Sequence, residues 1–225
     1  KKLMEEWEAK DPIENFRSYL FSKKILSAEI DDKYVTEIKA EIDASLDSAY
    51  AEAEISPNES TELNDVYKSF DYEDFKPNSS LKELRLIDAI SEGLKQSMEK
   101  HKDLVIMGQD IAEYGGVFKI TEGFVDQFGK DRVRNTPICE SAIVEAGMGL
   151  SIAGMKAVVE MQFSDFVTSG FNPIVNYLAK SHYRWKQNAD VVVRMPCGAG
   201  VAAGPFHSQT NEAWFTKTPG LKVVY

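Results

Sequence analysis

The chain has 225 residues, 43% of them apolar, enough to bury a core in one large domain or two small ones. No run of about 18 apolar residues occurs, so no membrane span is expected. The net charge of −10 is uneven: residues 1–76 hold 10 Lys and Arg against 20 Asp and Glu, whereas residues 77–225 balance at 16 and 16. Such asymmetry predicts two units of different role, and with no basic patch a nucleic-acid partner is not expected.

The opening, KKLMEEWEAK, lacks both an initiator Met and the apolar core of a secretory leader, and predicts a piece of a longer, cytoplasmic polypeptide. Cys139 and Cys197 form neither a disulfide framework nor a metal-spaced cluster, which fits a reducing interior. Residues 1–54 read as helices. Asp11 is the expected N-cap of DPIENFRSYLFSKK, with Pro12 at the first helical position and Lys23 and Lys24 in the last turn. Ser27 opens a longer helix whose stripe is Ile30, Tyr34, Ile38, Ile42, Leu46, Ala49 and Ala53. One stripe on one helix cannot bury itself, so this segment needs a partner surface.

Residues 55–80 carry Pro57, Pro77 and many Ser, Asn and acids, and read as an irregular connection laid on a surface through Val66, Tyr67, Phe70, Tyr72 and Phe75. From Leu81 helices alternate with short apolar strands. A helix over 81–101 turns Leu84, Ile87, Ala89, Ile90 and Leu94 inward. The strand DLVIMG and a Gly-rich loop, EYGGVFKIT, lead to a short helix ending near Phe128. Helices are expected over 141–154, 165–185 and 211–218, and strands over 156–163, 189–196 and 221–225. This pattern predicts an α/β fold, a parallel sheet sandwiched by helices and preceded by a helical segment, with residues 81–225 as one domain. The last strand would be buried, so the domain is expected to continue past residue 225.

Ligands of open α/β sheets bind past the carboxyl ends of the strands, where 135–141, 160–166 and 195–208 should arrive. In NTPICESAIVEAGMG, Glu140 opens a helix among apolar and small residues. It is either a first-turn charge, worth about 0.3–1 kcal/mol against the helix dipole, or a carboxylate placed to meet a ligand. In that setting its oxygens require a protein donor or a ligand N–H. Gln162, Phe163 and Phe166 follow a strand, where aromatics serve as core or as ligand shelf, and Asp165 reads as an N-cap. Gly198, Gly200 and Gly204 lack the strand–loop–helix spacing of a phosphate loop. His207, delivered by that loop beside Ser208 and Gln209, is structural or a proton-transfer group.

LIDAISEGL, RVRNTPICESAIVEAGMGLSIAGMKAVVEMQFSDF, FNPIVNYLAKSHYRW and FHSQTNEAWFTKTPGLKVVY, in this order, resemble the pyrimidine-binding domain of the beta subunit of 2-oxo acid dehydrogenases. DPIENFRSYLFSKKILS, the long acidic helix and DVYKSF resemble the C-terminal tail of the alpha subunit. The chain thus looks like an alpha–beta fusion running from the end of one part into the other. The resemblance implies thiamine diphosphate as cofactor, with Glu140 hydrogen-bonded to the pyrimidine ring nitrogen so that the imino tautomer activates the thiazolium ring. It also implies that Ile138 and Phe166 pack on the pyrimidine, Gln162 is a polar neighbour, and His207 assists proton transfer. Main-chain carbonyls of Ala189, Val191 and Val192 match part of a potassium site.

Other implications concern what the chain lacks and what it meets. The family binds diphosphate and Mg²⁺ through a GDG motif followed by Asn in the alpha part, which this sequence does not contain, so the chain alone is expected not to turn over substrate. The implied partners are the lipoyl acyltransferase of the complex and a second copy or an alpha-type domain. The implied substrate is a branched-chain 2-oxo acid, 3-methyl-2-oxobutanoate, with pyruvate the alternative: Phe166 matches the pyruvate enzymes and Gln162 leans the other way. A non-catalytic assembly module, with Glu140 only a capping charge, is the competing class of function.

Overall fold

The structure, a computed structural model, describes residues 2–71, 76 and 81–225. The chain divides into two compact units, Lys1–Pro57 and Asn58–Tyr225.

In the first unit, the acid and hydroxyl caps set the helix starts. The Asp11 carboxylate accepts the N–H groups of Ile13 and Glu14 at 2.7 and 3.3 Å, and Pro12 opens α2 (Pro12–Ser22) behind the short α1 (Lys2–Glu8). Lys23 and Lys24 fall past the last turn instead of within it: Lys23 is the C-cap and Lys24 turns the chain at a φ of 55°. Ser27 Oγ then accepts the Ile30 N–H at 3.3 Å and starts α3 (Ala28–Ala51), so that Ala53 lies beyond the helix. An Arg17–Asp31 ion pair joins α2 to α3. None of the described residues of these helices is buried, and the Ile30–Leu46 stripe stands exposed within the unit.

The second unit starts with a correction. The connection expected to be irregular contains α4 (Glu59–Asn64), because Asn58 Oδ1 accepts the Thr61 N–H at 2.9 Å and supplies the missing cap. Val66 is half-buried and Tyr67 and Phe70 are exposed; Tyr72 and Phe75 lie outside the described residues. The next helix, α5 (Leu86–Lys100), begins at Leu86 and leaves Leu84 outside. Ile87, Ile90 and Leu94 turn inward as expected, Ala89 does not, and Met98 is fully buried. Arg132 closes this helix: its guanidinium donates to the carbonyls of Met98 and His101 at 2.8 and 2.7 Å and of Leu104 at 3.0 Å.

Four parallel strands follow: β1 (Leu104–Gly108), β2 (Val133–Asn135), β3 (Lys156–Glu160) and β4 (Val191–Arg194), in the spatial order β2-β1-β3-β4. Between them run α6 (Phe124–Phe128), which ends where the sequence predicted, and α7 (Glu140–Ile152). Alternate side chains of β1 feed two cores. Val105 and Met107 pack with Ile143, Val144 and Val159, while Leu104 and Ile106 pack with Met98, Phe124 and Val133. The fold is therefore the predicted α/β sandwich, with helices against both faces of a parallel sheet.

Two expectations fail. The single helix predicted over 165–185 is broken into a 3₁₀ segment (Ser164–Gly170), a π turn (Pro173–Leu178) and α8 (Ser181–Trp185). Pro173 has no N–H to give to the preceding turn, and the ladder is rebuilt in a wider form behind it. Residues 211–218 yield only α9 (Ala213–Thr216), and 221–225 join no ladder: Leu221 packs on the core, whereas Val224 is 94% exposed. Among the described residues no helix is long and apolar enough to cross a membrane.

Candidate functional site at the carboxyl edge of the sheet

Parallel pairing sends the residues after every strand to one edge. Gln109 and Asp110 follow β1, Ile138 to Glu140 follow β2, Gln162 to Phe166 follow β3, and the loop with His207 follows β4. Gly108 lets β1 and β3 meet closely there, because a Cβ at this position would stand 3.0 Å from both the Cβ and the carbonyl oxygen of Glu160.

Glu140 is the first residue of α7 and only 8% exposed. Its Oε1 accepts a hydrogen bond from Gln109 Nε2 at 3.0 Å, whereas Oε2 accepts none from the described residues. The donor that the apolar setting required is thus partly supplied by the protein. One oxygen is held and the other is left to something else. The next residue of the same loop, Asp110, accepts from Gln162 Nε2 at 3.2 Å. Successive residues at the tip of β1 therefore tie the segments that follow β2 and β3.

A second group begins at Phe163, the residue after Gln162. The His207 ring meets Phe163 and Phe166 edge-on, with centroids 5.0 and 5.3 Å apart and rings at 84° and 82°. Phe163 also meets Phe166 and Phe118, each at 5.8 Å. Asp165 does not cap the following helix; both its carboxylate oxygens lie 3.4 Å from the backbone nitrogen of Gln209, in the His207 loop.

Residues 82–225 match the family described as transketolase, pyrimidine binding domain. This chain belongs to that family. Its relatives include the 2-oxoisovalerate dehydrogenase subunit beta of Bacillus subtilis, 44% identical over 140 residues, which are 61% of this chain and 43% of the relative. The pyruvate dehydrogenase E1 component subunit beta of Acholeplasma laidlawii is 39% identical over 143 residues, 63% of this chain and 44% of the relative. A third, the 2-oxoisovalerate dehydrogenase subunit beta of Pseudomonas aeruginosa, is 38% identical over 143 residues, 63% of this chain and 41% of the relative. The chain thus spans less than half the length of each of these relatives.

Within this pyrimidine-binding domain the structure groups Phe166 with His207 and places Glu140 and Gln162 on adjoining parts of the β1 tip. Ile138 is different: its side chain projects 83% exposed from the loop before Glu140. Ala189, Val191 and Val192 lie at the start of β4, away from the carboxyl edge, and the Ala189 carbonyl accepts the Val191 N–H at 2.8 Å. Among the described residues no group of three or more His, Cys, Asp and Glu could hold a metal ion.

The sequence reading missed a fourth segment at this edge, residues 109–121, which supplies Gln109, Asp110 and Phe118. The signal was present, since this segment also follows a predicted strand. Glu160 was missed too. It is buried at the end of β3, directly opposite Arg194 in register, and paired with its Nη2 and Nε at 2.8 and 3.1 Å. Burial pushes the Glu160 carboxyl above the usual carboxylate range, against the opposing pull of Arg194.

Proposed function

We propose that residues 81–225 form the pyrimidine side of a thiamine diphosphate site in the decarboxylating component of a 2-oxo acid dehydrogenase. The substrate is a branched-chain 2-oxo acid, 3-methyl-2-oxobutanoate, and the acyl group passes to the lipoyl domain of an acyltransferase partner. One observation carries the reading: Glu140 is buried at the sheet's ligand edge, with one oxygen held by Gln109 and the other without a partner among the described residues. That carboxyl fits a heteroaromatic ring nitrogen able to share a proton. When bound, thiamine diphosphate supplies the nucleophilic carbon and the electron sink that decarboxylation needs.

The chain's own residues bind and orient. Glu140 presents Oε2 to the ring nitrogen and holds the shared proton, while Gln109 fixes the direction of the carboxyl. Ile138 offers a bare apolar surface beside it, Phe166 adds an aromatic one, and Gln162 is the polar neighbour. His207 moves a proton at an imidazole nitrogen. The diphosphate and Mg²⁺ belong to an alpha-type partner, or to a second copy carrying that part. A potassium ion is assigned to the main-chain carbonyls of Ala189, Val191 and Val192, since a carbonyl that accepts one N–H keeps a second lone pair. Residues 1–54 are read as an alpha-type tail fused ahead of the domain, and the protein as cytoplasmic.

The test is Glu140→Gln in the intact protein. Decarboxylation should fall by about 10²–10⁴-fold with the assembly unchanged in gel filtration. An unchanged rate overturns the reading in favour of an assembly module. With the unaltered protein, kcat/KM should be higher for 3-methyl-2-oxobutanoate than for pyruvate. The reverse order would assign pyruvate, the substrate in the name of the Acholeplasma laidlawii relative.

A further inference from the structure

The loop that carries His207 leaves the sheet at Pro196 and returns at Asn211, and one buried residue holds both of its feet. Ser164, 2% exposed, gives its backbone N–H to the Pro196 carbonyl at 2.8 Å and its hydroxyl to the Gln209 carbonyl at 2.7 Å. Its own carbonyl accepts the side-chain amide of Asn211, 4% exposed, at 3.1 Å. The residues around Ser164 in the same turn are the loop's other contacts. Phe163 and Phe166 meet the His207 ring, and Asp165 faces the Gln209 N–H.

We propose that Ser164 and Asn211 are positioning residues that latch the 196–211 loop and so set the His207 imidazole against Phe163 and Phe166. All three polar groups of Ser164 reach the loop: its N–H and hydroxyl donate to the loop feet, and its carbonyl accepts from Asn211. Because rings and latch sit on one four-residue turn, the register of the loop feet fixes the register of the imidazole. Removing the hydroxyl leaves the Gln209 carbonyl without that donor, so this foot of the loop is no longer pinned and turns to water. The latch itself is a structural statement; its kinetic consequence rests on the functional reading of His207 given above.

The imidazole signals of the chain in solution test the latch. The chain has three histidines, His101, His182 and His207, and His207→Gln assigns the last. In the unaltered chain the His207 signals should be displaced by the ring currents of Phe163 and Phe166. In Ser164→Ala, and separately in Asn211→Ala, they should move to free-peptide positions while those of His101 and His182 stay. Unmoved His207 signals in a folded variant overturn the latch, and two variants guard against one failing to fold. In the intact protein the same substitutions should lower kcat by about 10- to 100-fold with KM little changed. Signals that move with kcat intact, while His207→Gln abolishes turnover, overturn the positioning role. Signals that move while His207→Gln leaves turnover unchanged support the latch and reject the catalytic reading of His207.

Discussion

At the scale of single residues, Glu160 gives the clearest pH consequence. Its carboxyl is raised by burial, so the folded chain holds that proton to higher pH than the unfolded chain does. The contribution to stability is therefore complete below the ordinary glutamate range and is lost as pH rises through the raised value. Urea unfolding at a series of pH values across that window should show Glu160→Gln losing less stability with rising pH than the unaltered chain. Arg194→Met should be worse than either, by roughly 3–5 kcal/mol, because it leaves a buried carboxylate without its partner. Gln109→Leu removes the one side-chain donor to the Glu140 carboxylate among the described residues and should cost about 1–3 kcal/mol in the same assay. Glu140 itself was legible because an isolated carboxylate among Ile, Cys, Ala and Gly needs a reason to be there. Gln109 was not, because a polar residue after a strand reads as ordinary loop until the strand order is known.

At the scale of elements, the fit of α7 onto the sheet depends on Gly147. A Cβ there would stand 2.8 Å from Val159 Cγ1 and 3.2 Å from Val191 Cγ1, so even a small side chain forces helix and sheet apart. Gly147→Val should destabilise by about 1–3 kcal/mol in thermal or urea unfolding. Since α7 carries Glu140 at its first turn, the same change should weaken cofactor binding in the intact protein. β1, β3, β4 and α7 were readable from short apolar runs and small residues at helical spacing, whereas β2, the three residues Val-Arg-Asn, carries no such run. The 165–185 segment was not, because an apolar period survives a break that only backbone hydrogen bonding around Pro173 reveals. Residues 221–225 show the converse: LKVVY has strand composition, yet composition cannot supply a neighbour to pair with, and none is taken.

For the whole molecule, the two units differ in what holds them. Asn58–Tyr225 has two cores around its sheet, whereas the helices of Lys1–Pro57 bury none of their described residues. A helix without tertiary burial is marginal in water. An isolated 1–57 peptide should lose its far-UV helical signal gradually on warming, while residues 58–225 unfold in a sigmoidal transition. The charge asymmetry changes at residue 76 and the compact units divide at Pro57, and no feature of the sequence could say which surface the Ile30–Leu46 stripe meets. The tip of β1 bears on the whole site in another way. Gln109 holds the carboxylate on one flank and Asp110 receives the glutamine on the other, so both walls hang from one rivet. A change that reshapes one wall cannot leave the other where it was. Under the function proposed above, selection for a larger or smaller substrate is therefore expected to act on side chains beyond that rivet, such as Ile138 and Phe166, and to spare the two residues that form it.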